Sequence, residues 1–423
     1  GAGADIFVFA PGDSTGTAID SISDFQTGSD RLVIEGAVSN GLSLVRTNGG
    51  GTLVFAGHLL ATQTVIGVNG TIQAGDVFGA NGEILPANMA GSDGSDVLIG
   101  SSLADTINGG GGDDFITGGG GRDVLTGGAG TDQFIYLAPG VDEYDRITDF
   151  QSGVDLINLN SILPLSIRID RYTEGRETVV FANYANSSFR IYVQSLVQGN
   201  DFLLAGRTNI PIQMNGAGAA DLLIGGVAGD TLNGGGGDDV LTGGLGADIL
   251  SGGTGADRFT YVSLADSMAG AIDTILDFES GVDRIDLSAL GTATAPIASF
   301  SINRVTGGSS TIVAISEAGE RFDLYVGGNI LIEDVIRPTY ARGDIRAYLN
   351  GSSANDVLLG SRGADVISGG AGDDIITGGG GFDALYGGAG ADVFRYTAVS
   401  DVVGDVIHDF QSGTDRIDLS LLN

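Results

Sequence analysis

Hydrophobic residues recur with a period of nine in three parts of the chain. From Gly91 the sequence reads GSDGSDVLI, GSSLADTIN, GGGGDDFIT, GGGGRDVLT and GGAGTDQFI, and each nonad has Gly first, Asp sixth and an apolar residue eighth. The glycine half predicts a tight turn, because glycine tolerates positive φ and close approach of other backbone. The Asp-x-apolar-x half predicts an extended segment that points its eighth residue into a core.

The pattern forms three arrays of five nonads, over residues 91–135, 216–260 and 351–395. A fixed short period indicates stacked units that bury a shared core. Two nonads are predicted to close one coil of a parallel β-roll. The eighth-position residues expected in the three thin cores are Leu98, Ile107, Ile116, Leu125 and Phe134; Leu223, Leu232, Leu241, Leu250 and Phe259; and Leu358, Ile367, Ile376, Leu385 and Phe394.

Between the arrays the apolar residues alternate with a period of two. Ser301-Ile302-Asn303, Thr311 to Ile315 and Phe322 to Val326 are examples, separated by turn residues, and this pattern is typical of strands. The chain is therefore predicted to be all-β, with tandem parallel β-rolls alternating with small antiparallel β-sheets or sandwiches. The predicted domains are the end of a roll plus a sandwich (1–90), two repeats of roll plus sandwich (91–215 and 216–350), and a roll plus a partial cap (351–423).

The composition favours cations as partners. The net charge is −34, and 53 acidic residues face only 19 basic ones, all of them Arg. Such a charge disfavours nucleic acid and anionic membranes. The absence of Cys excludes disulfides and thiolate metal sites. No apolar run approaches the roughly 20 residues that span a bilayer, and the first ten residues do not resemble a signal peptide.

The sixth-position Asp residues predict calcium sites. Stacked at β-roll spacing of about 4.8 Å, like charges repel strongly unless a cation lies between them. Calcium prefers carboxylate and carbonyl oxygens, and nonads two apart share an edge of the roll, so about three ions are expected per array. The predicted ligands are Asp5, Asp96, Asp105, Asp114, Asp123, Asp132, Asp221, Asp230, Asp239, Asp248, Asp257, Asp356, Asp365, Asp374, Asp383 and Asp392, with the carbonyls of Gly109, Gly111, Gly118, Gly120, Gly234, Gly236, Gly243, Gly369, Gly378 and Gly380.

Further Asp residues recur after each array. They follow the pattern of Asp20, Asp24 and Asp30, and the equivalent sets are Asp145, Asp149 and Asp155; Asp273, Asp277 and Asp283; and Asp405, Asp409 and Asp415. These residues are predicted to lie in degenerate turns that continue the roll. The sequence leaves open whether they bind extra calcium or only accept turn hydrogen bonds.

The arrays, together with the GADxF and DFxxGxDxIDL signatures, resemble the RTX calcium-binding proteins, namely the C-terminal module of serralysin-type proteases and the R-modules of alginate epimerases. The resemblance implies type I secretion, folding outside the cell, and calcium binding by the sixth-position Asp and neighbouring Gly carbonyls. The HExxHxxGxxH motif of the protease domain does not occur in this chain. No catalytic constellation is predicted.

Two functions remain open at this point. The first is a secreted structural protein that self-associates into a surface layer, fibre or matrix. The second is a non-catalytic module of a larger exoenzyme or adhesin, with cell-surface polysaccharide as a partner. The chain starts inside a nonad whose sixth residue is Asp5 and stops just after the last DFQSG signature, so it is expected to be part of a longer repeated protein.

Overall fold

The structure is a computed structural model of the 423-residue chain. It forms two compact units, residues 1–210 and residues 211–423, which are described separately below. The residues that it describes are 3–10, 20–34, 38–47, 50–58, 63–68, 72–79, 84–137, 144–162, 164–172, 177–183, 188–204, 210–291, 296–305, 309–331, 334–336, 347–360, 363–402 and 404–422.

The chain is built from short β-strands. Those of the first unit are β1 Ile6–Phe9, β2 Asp20–Ile22, β3 Arg31–Ile34, β4 Val38–Arg46, β5 Thr52–His58, β6 Gln63–Val68, β7 Val77–Gly79, β8 Ala87–Ala90, β9 Val97–Ile99, β10 Thr106–Gly111, β11 Phe115–Thr117, β12 Val124–Ala129, β13 Gln133–Ile135, β14 Tyr144–Ile147, β15 Leu156–Asn158, β16 Ser166–Tyr172, β17 Glu177–Asn183, β18 Ser188–Val193 and β19 Phe202–Leu203.

The second unit repeats this arrangement. Its strands are β20 Ile212–Asn215, β21 Leu222–Ile224, β22 Thr231–Gly236, β23 Val240–Thr242, β24 Ile249–Thr254, β25 Arg258–Thr260, β26 Asp273–Ile275, β27 Arg284–Asp286, β28 Ile297–Val305, β29 Ser309–Ser316, β30 Arg321–Val326, β31 Val335–Ile336, β32 Ala347–Asn350, β33 Val357–Leu359, β34 Val366–Ala371, β35 Ile375–Thr377, β36 Ala384–Ala389, β37 Val393–Arg395, β38 Val406–Ile407 and β39 Arg416–Asp418.

Helical structure in the described residues is limited to short 3-10 turns. These turns include Ala74–Asp76, Gly199–Asp201 and Val399–Val402. Across the same residues, no helix has the length and apolar character needed to cross a membrane.

The nonad arrays form parallel β-rolls in which one coil takes two nonads. Strands β10 and β12 pair in parallel with Ile107 opposite Leu125, and on the other face β9 and β11 pair with Leu98 opposite Ile116. Each offset is 18 residues, and the other two arrays repeat it. All fifteen predicted eighth-position residues are buried, none more than 4% exposed. The β-roll prediction and its core are therefore confirmed.

Glycine allows the coils to stack this closely. Gly112 has φ +91°, and a Cβ there would collide with the backbone of Gly94 in the preceding coil. Gly130, with φ +140°, meets the backbone of Gly112 in the same way. Any larger residue at these turns would therefore meet both backbone strain and a steric clash.

Three-stranded antiparallel meanders connect the rolls and extend one of their two sheets. In the first unit, β4, β5 and β6 form one meander and β16, β17 and β18 another. Strand β4 pairs in parallel with β8 of the following roll, and β18 with β14 of the preceding one. In the second unit, β28, β29 and β30 form a meander joined to the rolls through β26 and β32. The predicted strands near residues 301, 311 and 322 are these three, and the all-β fold class is confirmed.

Candidate calcium-binding site

The sixth-position carboxylates form buried columns along the rolls. Each array Asp is at most 9% exposed. We call each sixth-position Asp of an array, with its backbone, a rung. Oδ1 of Asp114 accepts the backbone N–H of Asp96 at 2.7 Å, and Oδ1 of Asp132 accepts the backbone N–H of Asp114 at 2.9 Å. Equivalent bonds join Asp221, Asp239 and Asp257 in the second array and Asp356, Asp374 and Asp392 in the third. One carboxylate oxygen of each interior rung is thus held by the coil before it.

The second oxygen, Oδ2, faces the first glycine of the same nonad. We call the small space between this oxygen, the glycine and the next coil the cradle. A Cβ added at Gly109 would collide with Asp114 Oδ2 and with the carbonyl oxygen of Gly127 in the next coil. Gly234 and Gly369 have the same surroundings in the other arrays. A carboxylate oxygen and a carbonyl oxygen therefore converge on a space that no side chain fills, and these are donors that calcium prefers.

Several of these Oδ2 atoms have no hydrogen-bond partner although they are buried. Among the described residues they include those of Asp114, Asp132, Asp248, Asp257, Asp374 and Asp392. A buried carboxylate oxygen without a partner is costly, and a cation bound to it would offset this cost. Within the described residues no three His, Asp or Glu side chains gather into a metal-binding cluster.

The electrostatics of the column favour a cation. Burial, followed by the charges of Asp132, Asp96 and Asp113, raises the pKa of Asp114 to about 6. Burial, followed by neighbouring carboxylates, raises the pKa of Asp248 to about 7 and that of Asp374 to about 6. The charged forms of these groups are therefore disfavoured in the calcium-free roll, and a bound cation would relieve this cost.

The first two rungs of an array differ from the later ones. Oδ2 of Asp96 accepts the N–H of Ser92 at 2.7 Å and its hydroxyl at 2.9 Å. Oδ2 of Asp105 accepts the N–H of Ser101 at 2.5 Å. The ligand role predicted for the sixth-position Asp residues, these early ones and Asp5 included, stays a prediction; the N–H of Asp5 donates to Asp30.

The predicted glycine ligands fall into two groups. The first-position carbonyls of Gly109, Gly118, Gly234, Gly243, Gly369 and Gly378 border the cradles of the coil before them. Among the third-position glycines, the N–H of Gly111, Gly120 and Gly236 donates to a carbonyl of the preceding coil. Their carbonyls, with that of Gly380, remain predicted ligands.

The Asp residues outside the arrays accept backbone hydrogen bonds, and the alternative that they also bind calcium stays open. Asp155 accepts the N–H of Asp132 and of Gln151, and Asp30, Asp283 and Asp415 do the same in their turns. Asp149 accepts the N–H groups of Gly127 and Gly128, and Asp277 and Asp409 bind equivalent pairs of glycines. Asp145, Asp273 and Asp405 each accept an N–H from the fourth rung. The degenerate turns therefore continue the roll.

A recurring pair of hydrogen bonds from these turns to a distant Asp was not predicted from the sequence. We call this pair a clamp. Asp201 accepts the Ser152 hydroxyl at 2.7 Å and the Gly153 N–H at 2.8 Å, and Asp76 and Asp334 clamp the equivalent turns. The repeat of QAGD at Gln73 and QGND at Gln198, just before β7 and β19, was the available signal.

The calcium-free protein is expected to gain β-structure when the pH is lowered from 8 to 5. The pKa of Asp114 and of Asp374 is about 6 in the roll against 3.8 for an unperturbed group, so the roll binds these protons more tightly than the unfolded chain. Its stability therefore rises as the pH falls through 6. Circular dichroism of dialysed, calcium-free protein checks this, with Asp114→Asn plus Asp374→Asn as a control in which the response is smaller. A β signal that falls on acidification would contradict the prediction.

Comparisons with known proteins agree with this geometry. The model of the RTX calcium-binding nonapeptide repeat matches residues 90–125, 99–134, 350–385 and 375–403, and that of the peptidase M10 serralysin C-terminal region matches residues 199–324. A search of the curated proteins gave no match.

Two solved structures are similar to part of the chain. The R3 subunit of a mannuronan C5-epimerase from Azotobacter vinelandii is 28% identical, with 31% of this chain and 80% of that one covered and a TM-score of 0.26. The R2 subunit is 27% identical over 31% and 94%, with a TM-score of 0.24. The first and third arrays of this chain therefore match RTX calcium-binding nonapeptide repeats, and the second array has the same coil offset and the same column of Asp residues.

Proposed function

We propose that this chain is a secreted structural RTX protein that calcium folds outside the cell and that self-associates into a surface layer, fibre or matrix. The resemblance to type I-secreted proteins supports the extracellular location. The tandem rolls, each with an apolar core and with carboxylate and carbonyl oxygens that converge at its glycine turns, support calcium as the folding partner, at about three ions per array. The proposal includes no catalytic activity.

An exposed strip of arginine and aromatic side chains is the observation that carries self-association. On the outer face of β14, β18, β17 and β16, the guanidinium carbons of Arg122 and Arg190 lie 4.8 and 5.7 Å from the Tyr144 ring centroid. Arg190 and Arg168 lie 5.2 and 4.1 Å from that of Phe181. We call these five residues the Arg–aromatic strip.

The charge of the strip indicates its partner. Arg168 pairs with Asp170 at 3.0 Å, whereas in the described part of the chain neither Arg122 nor Arg190 forms a salt bridge. In a protein with a net charge of −34, two exposed and unpaired guanidinium groups beside aromatic rings are complementary to an acidic surface. In an assembly, a second copy of this chain supplies such a surface, because it carries the same net charge of −34.

A second candidate function rests on the comparisons. The matched families include the C-terminal region of a protease and subunits of an epimerase, so this chain would be a non-catalytic module of a larger exoenzyme. In that case the Arg–aromatic strip would contact an acidic polysaccharide instead of a second copy.

The two functions differ in the behaviour of the purified chain. With calcium, the wild-type chain is expected to form ordered sheets or fibres by electron microscopy and large species by light scattering. Replacement of Arg122 and Arg190 by Gln is expected to raise the concentration needed for assembly about tenfold or more, since arginine–acid contacts across an interface are strong. The matched control is Arg258→Gln with Arg321→Gln, which removes two exposed arginines that already pair with Asp286 and Asp323.

A wild-type chain that stays monomeric at high concentration with calcium would rule out self-association. Binding of that monomer to an acidic polysaccharide, lost in the Arg122 and Arg190 variant, would establish the second function instead.

A further inference from the structure

Two buried arginines from the meanders reach the first rung of the following array. Arg304, near the end of β28, places Nη1 3.0 Å from Asp356 Oδ1, and its Nη2 donates to the Val357 carbonyl at 2.7 Å. Arg46, at the end of β4, places Nε 3.6 Å from Asp96 Oδ1 and donates from Nη2 to the Val97 carbonyl at 2.5 Å. These side chains are only 6% and 11% exposed.

The guanidinium groups occupy the position of a missing coil. At an interior rung, Oδ1 of Asp114 accepts the N–H of Asp96, which lies one coil earlier. Asp96 and Asp356 begin their columns, and in the described residues no backbone N–H donates to their Oδ1 atoms. Arginine supplies that donor instead, and its planar fork also reaches the carbonyl of the next residue.

Serine residues supply further hydrogen bonds to the first rung. Oδ2 of Asp356 accepts the N–H of Ser352 at 2.6 Å and its hydroxyl at 3.1 Å, and Asp96 bonds to Ser92 in the same way. In the first unit the amide of Gln73 also bonds to the edge strand β9. It donates to the Val97 carbonyl at 3.0 Å and accepts the Ile99 N–H at 2.7 Å, as a neighbouring strand would.

The first rung therefore differs from the later rungs whose Oδ2 atoms have no hydrogen-bond partner. Both oxygens of Asp356 are engaged, whereas Oδ2 of Asp374, one coil later, is buried and has no partner. Because the guanidinium group stays charged at all relevant pH values, it neutralises the first carboxylate whether or not calcium is present.

We propose that Arg46 and Arg304 are positioning residues that replace the missing coil, so that the first rungs of the first and third arrays assemble before calcium arrives and calcium-dependent folding of these two arrays starts from them. This proposal rests on calcium binding by the arrays and is independent of self-association.

Hydrogen exchange measured by mass spectrometry at graded calcium concentrations tests the proposal on the third array. In the wild-type chain, the first coil, residues 351–368, is expected to become protected at a lower calcium concentration than the later coils. Arg304→Met is expected to raise the calcium concentration for half-protection of residues 351–395 by about fivefold or more, since a buried charge-assisted contact is lost. In this variant, residues 351–368 should no longer become protected at a lower calcium concentration than the later coils. Residues 216–260 in the same molecule, which Arg304 does not contact, serve as an internal reference and should not change.

Two further variants separate charge from general destabilisation. Arg321→Met removes the same charge from β30 at a side chain that is 54% exposed and pairs with Asp323, and it should behave as wild type. Arg304→Lys retains a positive charge but lacks the fork, so an intermediate midpoint is expected. The proposal would be overturned if Arg304→Met and Arg321→Met reached half-protection of residues 351–395 at the same calcium concentration. It would also be overturned if the first coil of Arg304→Met still became protected before the later coils.

If Arg304→Met gains no protection at any calcium concentration, Arg304→Lys decides. The proposal is supported if Arg304→Lys needs more calcium for half-protection of residues 351–395 and its first coil no longer becomes protected first. Wild-type behaviour of Arg304→Lys overturns the proposal.

Discussion

Chelation of calcium is expected to abolish the β-type circular dichroism of the rolls at neutral pH. The buried carboxylate columns carry several Oδ2 atoms without partners, and burial raises the pKa of Asp248 to about 7, so the metal-free roll contains groups whose charge is poorly compensated. A single ion contributes about 2.7 kcal/mol when free calcium is about 100-fold above its dissociation constant. Three such ions per array would contribute about 8 kcal/mol, which is comparable to the whole stability of a typical domain.

The measurement is a titration of the far-ultraviolet signal with excess EGTA, followed by restoration with calcium. Magnesium added to the chelated protein is the control, because it demands a smaller octahedral site and dehydrates reluctantly. It should restore little of the signal. Spectra that stay the same in excess EGTA would refute the dependence of the fold on calcium.

Replacing the central carboxylate of every array is expected to give the second large effect. Asp114→Asn, Asp239→Asn and Asp374→Asn together should lower the number of bound ions by about one per array, because an amide is a weaker calcium ligand than a carboxylate. Isothermal titration calorimetry measures the count directly. All three residues are at most 1% exposed in the structure, and Asp114 and Asp374 direct Oδ2 at the first glycine of their nonad.

The neighbouring fifth-position residues supply a matched control. Asp113, Asp238 and Asp373 lie one residue earlier in the same nonads but are exposed. Their replacement by Asn removes the same total charge while leaving the cradles unchanged, so the calcium count should equal that of the wild-type chain. A lowered count in the control, or an unchanged count in the central variant, would contradict the ligand assignment.

The sequence was sufficient to predict the rolls because their determinants are local. The nonad period fixes the coil, and residues such as Ile107 and Leu125 meet their partners at a constant offset of 18. The same regularity places Asp96, Asp114 and Asp132 in one column. The recurrence of Asp155 after the array also predicted that it continues the roll, although the intervening segment breaks the period, and Asp155 accepts the N–H of Asp132.

The capping and clamping contacts were not predictable, because they join residues that are distant in sequence and follow no period. Arg304 and Asp356 are 52 residues apart, and Ser152 and Asp201 are 49 apart. Their pairing depends on how the meander joins the roll, and the strand alternation that predicted the meander does not specify that β28 pairs with β32.

The unequal faces of the roll restrict how an array can change in length during evolution. In the first array the nonads alternate between six-residue strands such as β10 and β12 and three-residue strands such as β11 and β13. A duplication of 18 residues adds a complete coil and returns each later strand to its own sheet. A duplication of nine moves every later strand to the opposite sheet, including the one that must join the meander. Gene rearrangements within these arrays should therefore persist only in multiples of 54 nucleotides, although the visible repeat is half as long.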